Sequence, residues 1–395
     1  MIYRDFKGKK ISMLSFGTMR LPTLENGQID EEQVLEMTRL ALSRGVNYFD
    51  TAYPYHNGQS ELVMGRVLKN FDRDSFYLAD KYPGHQISES YNPAEIFEEQ
   101  LKKCGVDYFD FYLLHNVYEN SMDIYLDEKW GILEYFREQK RLGRIKHLGF
   151  STHARLKTLE KFLEIAHEDM EFCQIQLNYM DWSLQDAKGK VELLNQYNIP
   201  IFVMEPLRGG KLCSLSYENE QKLKLVYPNK SVTSWGFRYL EDIEGVTTIL
   251  SGMSNIEQMC ENIETFESEE PLTENDKELL YEIAESMKNS VPCTACRYCT
   301  KDCPMALDIP TLIETYNDLE FFATTNSAMI IEFMPENKKP SACIACGKCK
   351  KICPQMIDIP SVLQKLDEKL ETIPKWREIC RVREEAAKKI REQNK

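Results

Sequence analysis

Short apolar runs alternate with longer amphipathic stretches over the first 270 residues of the chain. Stretches such as EEQVLEMTRLALSRG, AEIFEEQLKKCG and GILEYFREQKRLG have the periodicity of helices with one buried face. The short apolar runs between them are candidate strands. Eight such strands are predicted, at 12–17, 46–52, 76–82, 109–115, 147–151, 173–178, 199–205 and 246–252.

Repeated strand–helix alternation is typical of α/β folds with a parallel sheet. Eight strand–helix units in this length favour a closed (β/α)8 TIM barrel. A doubly wound open sheet is the alternative. It is disfavoured because no G-x-G-x-x-G motif opens a helix after the first strand.

Two helices are predicted outside the barrel units. One runs from Thr273 to about Ser290 and begins with a capping pair, Thr273 and Asp276. The other runs from Trp376 to Lys395, and its many Arg–Glu and Lys–Glu neighbours indicate a solvated tail helix. We therefore expect a barrel at 1–290, a second domain at 291–372 and a charged helical tail at 373–395.

Composition narrows the class of protein. The chain has 395 residues and a net charge of −14, from 49 basic and 63 acidic residues. This acidic balance argues against nucleic acid as a general partner. No apolar run has the length of a membrane span and no signal peptide is visible, so we expect a cytoplasmic protein.

Eight of the 13 cysteines lie in two copies of one pattern, C-x2-C-x2-C-x3-C-P. The copies begin at Cys293 and at Cys343, 50 residues later. This is the pattern of bacterial ferredoxins that hold two 4Fe–4S clusters. Two four-cysteine zinc sites are the alternative, but they have no need of a third cysteine two residues after the second.

The same pattern predicts how the ligands divide. In two-cluster ferredoxins the fourth cysteine of each run binds the other cluster. Pro310 and Pro360 suit the first turns of the helices that follow, and the long insert between the copies indicates a helical type of module. The predicted ligand sets are Cys293, Cys296, Cys299 and Cys353 for one cluster, and Cys343, Cys346, Cys349 and Cys303 for the other.

Titratable residues stand where three of the predicted strands end. Asp50 ends the second strand, with Tyr55 just beyond it; Lys81 lies in the third, and His115 ends the fourth. Each one alone is commonly an ordinary loop residue. Together at the carboxyl-terminal rim of one barrel, however, they form a candidate catalytic set.

At these residues the chain resembles the aldo-keto reductase family, over about residues 1–290. The resemblance rests on DTAYPYHNGQSE, ADKYP, LLHN, GRIKHLGFS, EPLRGGKL and GMSNIEQMCEN, in that order. It implies that Tyr55 is the proton donor and that Lys81 is its cationic neighbour, held by Asp50. It also implies that His115 orients the substrate carbonyl.

The implied chemistry is consistent with these side chains. Carbonyl reduction needs a hydride at carbon and a proton at oxygen, and the hydride must come from a cofactor. A phenol with a pKa near ~10 is a weak acid at neutral pH, so a nearby ammonium is expected to lower that pKa. Tyr55 and His115 can both donate hydrogen bonds to the developing oxyanion.

The resemblance also implies a nicotinamide cofactor, with three departures from the family pattern. Thr152 follows Ser151 where the family has Asn, Met204 stands where an aromatic ring usually stacks, and Gln258 replaces a basic residue. NADH is therefore at least as plausible as NADPH. The candidate cofactor-binding residues are Ser151, Gln174, Met204, Leu207, Gly252, Gln258, Glu261 and Asn262.

These features predict an oxidoreductase that interconverts a small carbonyl compound and its alcohol with NAD(P)H. Its clusters would connect it to an electron-transfer protein. Because a nicotinamide passes two electrons and a cluster passes one, a bound flavin is a further candidate cofactor. The alternatives are a ferredoxin-linked or flavin-dependent reductase on the same barrel, and an electron-transfer subunit without catalysis.

Overall fold

The structure is a computed structural model that describes residues 1–288, 291, 293 and 295–393. The chain divides into two compact units. The first contains Met1–Leu280 and Arg383–Lys395, and the second contains Tyr281–Val382. The predicted boundary at 290 lies outside the described residues, and the division at 290 and 372 stays a prediction.

The first unit is built on a closed barrel of eight parallel strands in the order β10-β3-β4-β5-β6-β7-β8-β9. Each of the eight predicted strands is one of these, so the predicted (β/α)8 barrel is confirmed. The barrel strands are β3 Leu14–Gly17, β4 Tyr48–Asp50, β5 Tyr77–Tyr82, β6 Phe109–Leu114, β7 Ile145–Thr152, β8 Cys173–Gln176, β9 Ile201–Met204 and β10 Val246–Ser251.

Helices alternate with these strands and continue through the second unit. In the first unit they are α1 Glu31–Ser43, α2 Gln59–Leu68, α3 Pro93–Cys104, α4 Met122–Leu126, α5 Ile132–Arg141, α6 Leu156–Ala166, α7 Asp181–Leu184, α8 Ala187–Gln196, α9 Tyr217–Val226, α10 Val232–Arg238 and α11 Ile256–Thr265. The remaining helices are α12 Glu274–Met287, α13 Tyr298–Lys301, α14 Ile309–Phe321, α15 Thr325–Glu332, α16 Lys348–Ile352, α17 Ile359–Leu370 and α18 Trp376–Gln393.

A hairpin that the sequence did not predict precedes the barrel. Strands β1 (Tyr3–Phe6) and β2 (Lys9–Ser12) pair antiparallel across a turn at Lys7 and Gly8, whose φ angles are 52° and 82°. The Phe6 ring lies 5.3 Å from that of Phe111 and 5.7 Å from that of Phe202. The hairpin therefore adds an aromatic side chain to the core of the barrel.

Strand register brings the candidate side chains to one rim. Asp50 pairs with Gly17 on one side and Ala79 on the other, and Ser151 pairs with Gln174. Because all eight strands are parallel, their carboxyl ends lie at the same end of the barrel. The polar residues that end the strands therefore share that end.

The second unit is helical, as predicted, and repeats its own local structure. Helix α14 packs against α17 and α13 against α16, around a core that includes Leu312 and Leu363. Pro310 and Pro360 lie in the first turns of α14 and α17. Left-handed residues recur with the spacing of the cysteine repeat, at Ala295, Arg297 and Ala306 and at Ala345, Gly347 and Met356.

The two helices predicted outside the barrel both form. Helix α12 has the predicted reciprocal cap, in which Thr273 N donates to Asp276 Oδ2 at 2.9 Å and Asp276 N donates to Thr273 Oγ1 at 3.3 Å. Their predicted ends at Ser290 and Lys395 lie outside the described residues. Within the described ranges, none of the helices combines the length and apolar character needed to cross a membrane.

The expectation of a solvated tail is wrong for one face of α18. Cys380, Ala387 and Ile390 are 3%, 8% and 5% exposed. With Trp376 and Arg383 they recur every three or four residues, which is the spacing of one helical face. The sequence analysis missed this stripe because charged residues stand between its members along the chain.

Candidate active site and cluster-binding pockets

A buried ion pair links the ends of β4 and β5. Lys81 Nζ lies 2.5 Å from Asp50 Oδ1 and donates to Thr51 O at 2.8 Å, and both charged residues are at most 3% exposed. Burial lowers the pKa of Lys81, but Asp50 and Tyr55 outweigh it, so that this pKa is raised. Lys81 is therefore an ammonium at neutral pH.

Tyr55 lies over this ion pair. The Lys81 Nζ atom is 5.0 Å from the centre of the Tyr55 ring. Burial raises the pKa of Tyr55, and Lys81 opposes this only in part. The expectation that the ammonium brings this pKa below that of a free phenol is therefore wrong, and Tyr55 carries its proton at neutral pH.

The three residues after Tyr55 have an unusual backbone conformation. His56, Asn57 and Gly58 all have positive φ, at 49°, 54° and 86°. His56 Nε2 accepts a hydrogen bond from Leu21 N at 3.2 Å, which anchors the loop. Consecutive residues in this conformation are costly and are commonly retained at functional sites.

His115 faces the Tyr55 ring, with 6.1 Å between the ring centres. The His85 ring, which the sequence analysis did not identify, lies 4.2 Å from that of His115. Burial, followed by the charges of its neighbours, lowers the pKa of His115 well below its usual value and that of His85 to about 3. Both imidazoles are therefore neutral, and a neutral imidazole can donate one hydrogen bond.

A buried polar network supports Lys81 from the helix side. Gln100 Nε2 donates to Lys81 O at 3.0 Å and to Glu61 Oε1 at 2.9 Å, and Lys103 Nζ pairs with Glu61 Oε2 at 2.9 Å. The sequence analysis missed these residues because they belong to the polar face of ordinary amphipathic helices. Their burial shows that this face packs against the barrel.

Gln174, a candidate cofactor residue, hydrogen-bonds to Asp50, and a second candidate, Ser151, pairs with Gln174 across β7 and β8. Gln174 Oε1 is buried and has no hydrogen-bond partner among the described residues. Ser151 Oγ accepts from Asn116 N at 2.8 Å, which leaves its own O–H to donate. An unsatisfied buried acceptor beside a free donor fits the carboxamide of a nicotinamide, which offers both an N–H and a C=O.

The hydroxyl group of Thr152, which replaces the family's Asn, is hydrogen-bonded within the protein. Its Oγ1 donates to Val117 O at 2.6 Å and accepts from Ala154 N at 2.9 Å. Thr152 is also only 1% exposed. This departure therefore leaves Ser151 and Gln174 as the polar candidates at this part of the rim.

The other cofactor candidates lie at or after the end of β9, directly after β10, and in α11. Met204 is half-buried, and Leu207 packs against Gly236, at which an added Cβ would lie 2.6 Å from Leu207 Cδ2. Gly252, Gln258 and Glu261 are exposed, whereas Asn262 is buried and donates to Ser251 Oγ at 3.1 Å.

Two arginines that could supply charge to a cofactor phosphate, Arg208 and Arg238, are buried in ion pairs. Arg208 pairs with Asp181, and both side chains are at most 2% exposed. Arg238 Nη1 lies 3.6 Å from Glu241 Oε1. Both arginine side chains therefore form ion pairs within the protein.

In the second unit the eight cysteines divide between two pockets. An isoleucine lines each pocket together with the thiols, Ile359 in the first and Ile309 in the second. The first pocket is lined by Cys293, Cys296, Cys299 and Cys353, and the second by Cys303, Cys343, Cys346 and Cys349. The grouping is the exchanged one, in which each run supplies three thiols to one pocket and its last thiol to the other.

Comparison with known proteins agrees with both parts of the chain. The model of the Aldo/keto reductase family matches residues 13–285. The chain belongs to this family. A 4Fe-4S dicluster domain model matches residues 292–357 of this aldo/keto reductase, as the repeated cysteine pattern predicted.

The reductase is similar in sequence to proteins from a plant and from a bacterium. It is 28% identical to a probable aldo-keto reductase of Glycine max over 52% of this chain and only 58% of that protein. It is 26% identical to the uncharacterized oxidoreductase YqkF of Bacillus subtilis over 64% of this chain and 87% of that protein.

A solved structure shares the fold of the barrel. Aldo-keto reductase AKR11C1 from Bacillus halodurans matches with a TM-score of 0.58 and 24% identity, over 72% of this chain and 96% of that one. At this identity the match establishes the fold and no finer property.

Proposed function

We propose that the barrel reduces small carbonyl compounds to alcohols, and oxidises the alcohols in reverse, with NAD(P)H. The observation that carries this proposal is the buried Asp50–Lys81 pair beneath a protonated Tyr55, at the carboxyl-terminal rim of the barrel. A phenol above an ammonium is a positioned acid, and general acid catalysis contributes about 10²–10⁴-fold to a rate.

Each residue has a distinct task in this proposal. Tyr55 donates its proton to the carbonyl oxygen, and Lys81 stabilises the phenolate that results. Asp50 keeps Lys81 charged and in place. His115, as a neutral imidazole, donates a hydrogen bond to the same oxygen and so orients the carbonyl.

The cofactor, when bound, supplies a hydride to the carbonyl carbon. Ser151 and Gln174 are the proposed contacts for its carboxamide, because one has a free O–H and the other an unsatisfied buried oxygen. Met204 and Leu207 are the proposed apolar contacts, and Gly252, Gln258, Glu261 and Asn262 the residues nearest its adenosine. Without Arg208 and Arg238, a 2′-phosphate has fewer cationic partners, and we propose NADH as the preferred form.

We further propose that the second unit holds two 4Fe–4S clusters and exchanges single electrons with a protein partner. Eight thiols in two sets of four suit two such clusters, since each takes four thiolate ligands. Thiols and clusters of this kind persist in a reducing compartment, which supports a cytoplasmic location.

Serine substitutions of the cysteines test the exchanged ligand sets. Protein purified without oxygen should contain about eight iron and eight sulfide per chain. Cys353→Ser should disturb the same cluster signal as Cys299→Ser, and Cys303→Ser the same signal as Cys349→Ser, in electron paramagnetic resonance of the reduced protein. Cys260→Ser, which changes a barrel thiol, is the control and should alter neither signal.

The opposite pairing would refute the exchanged sets. If Cys303→Ser matched Cys299→Ser, each run would supply its own cluster with all four thiolates. Zinc in place of iron, with no sulfide, would contradict the cluster proposal as a whole.

A further inference from the structure

The C-terminal segment of the chain packs against the loop that carries Tyr55. Arg391 Nε donates to Glu99 Oε2 at 2.7 Å, and Arg391 Nη2 donates to Tyr53 OH at 3.1 Å. Tyr53 OH itself lies 3.3 Å from Glu99 Oε2. These contacts join the last turns of α18 to Tyr53, which lies two residues before Tyr55.

An apolar contact lies beside this polar one. Ile390 is 5% exposed, and its Cδ1 would lie 3.1 Å from a Cβ added at Gly58. Gly58 has a φ of 86°, so the loop needs glycine here for its backbone as well as for the close approach of Ile390. The segment and the Tyr55 loop are therefore fitted to each other at two neighbouring points.

Arg383 lies on the same face of α18 as Ile390. Arg383 lies seven residues before Ile390, which is two turns or about 10 Å along the helix, with the buried Ala387 between them. Arg383 is itself half-buried, whereas its neighbours Glu384 and Glu385 are exposed. Its face therefore continues the contact surface that Ile390 and Arg391 define.

Electrostatic effects agree with this placement. The Arg383 charge opposes the rise in the pKa of Tyr55 that burial causes, and it adds to the lowering of the pKa of His115 and His85. After burial, the strongest influences on His115 come from His85, Lys81, Arg383 and His153, all of them basic. Asp50 offsets the charge of Lys81 at close range, and Arg383 adds positive charge that acts on both Tyr55 and His115.

We propose that the segment Arg383–Gln393 forms part of the substrate site and that Arg383 selects carbonyl substrates that carry a carboxylate next to the carbonyl. This inference rests on the proposed reductase function. A guanidinium has five N–H donors in a planar fork, so it can keep a protein contact and still bind a carboxylate. The neutral imidazoles of His85 and His115 supply further donors without competing for the charge.

A pair of matched substrates tests the selection in the full-length protein with its clusters. The wild type should reduce pyruvate with a higher kcat/KM than methyl pyruvate, which lacks the charge. Arg383→Met should raise the KM for pyruvate by about 10-fold or more and leave methyl pyruvate within about twofold. Arg383→Lys should restore part of the loss, because it keeps the charge but not the fork.

Lys388→Met is the matched control. Lys388 lies on the same helix, is exposed, and pairs with Glu384, so its substitution removes one positive charge that does not face the barrel. Its kinetics should equal those of the wild type. An equal effect of Arg383→Met on both substrates, no effect on either, or the same effect from Lys388→Met would overturn the inference.

A binding measurement separates this inference from the proposed function. Oxamate is a carboxylate that resembles pyruvate but is not reduced, and oxamide is its neutral counterpart. Calorimetry should show oxamate bound at least about 10-fold more weakly by Arg383→Met than by the wild type, with oxamide unchanged. If oxamate binding depends on Arg383 in this way but the protein reduces no carbonyl compound, the proposed reductase function is wrong and the anion-binding site is supported. If carbonyls are reduced but oxamate does not bind, the anion site fails alone.

Discussion

A Tyr55→Phe variant is expected to lose about 10²–10⁴-fold in kcat for carbonyl reduction, because it lacks the acid that protonates the oxygen. The phenol is the group above the Lys81 ammonium, and its raised pKa keeps the proton on it at neutral pH. The ring itself remains, so packing against His115 is retained and the fold should be unaffected. Steady-state kinetics and cofactor binding, measured on the same protein, check this expectation.

The control for this variant is a second tyrosine whose side chain is exposed and lies outside the proposed catalytic set. Tyr217 is 79% exposed, and Tyr217→Phe should leave kcat unchanged. Binding of the nicotinamide cofactor should also be unchanged in Tyr55→Phe, since the phenol is not among its proposed contacts. Full carbonyl-reducing activity in Tyr55→Phe would remove the acid from the mechanism.

Lys81→Met is expected to damage both stability and activity. It leaves the Asp50 carboxylate buried without its cation, which costs about 3–5 kcal/mol in the free energy of unfolding when one partner of a buried pair is removed. It also removes the charge that stabilises a Tyr55 phenolate, so kcat should fall by about 10² or more. Thermal unfolding and steady-state kinetics measure the two effects separately.

The double variant Asp50→Asn with Lys81→Met separates the effect on stability from the effect on activity. It removes both charges, so most of the lost stability should return, while activity should stay low because no ammonium faces Tyr55. Asn is nearly the same size as Asp, which limits any change in packing. A double variant no more stable than Lys81→Met would show that the charges are not what the fold requires.

The sequence predicted the barrel well because its strands are apolar runs with clear ends. Its parallel order then brings Asp50, Lys81 and His115 to one rim, so the candidate set could be proposed from the strand ends alone. The β1–β2 hairpin was missed because its strands, Tyr3–Phe6 and Lys9–Ser12, are short and largely polar. Only the Lys7–Gly8 turn between them is a local signal.

Contacts between residues that are far apart in the sequence could not be predicted. The contact of Arg391 with Glu99 joins residues 292 positions apart, and nothing local identifies that partner. Arg208 is a charged residue, yet it is buried against Asp181. In each case the charge is visible in the sequence, but its burial depends on which elements pack together.

The pKa of Tyr55 illustrates a further limit. Proximity of Lys81 was expected to lower it, and the ammonium does act in that direction. Burial has the larger effect, and the extent of burial is set by the packed loop, not by the sequence motif. A raised pKa is consistent with Tyr55 as the proton donor, because a donor must hold its proton before the reaction.

The most direct test of the central claim follows the hydride itself. The full-length protein, purified without oxygen, is given a carbonyl substrate and nicotinamide cofactor deuterated at the transferred position of C4, and the alcohol is examined by mass spectrometry and NMR. Direct reduction at the Tyr55 site predicts one deuterium on the carbinol carbon of each product molecule. An alcohol formed without deuterium would mean that the electrons arrive through a flavin or the clusters, and it would contradict the proposed reaction.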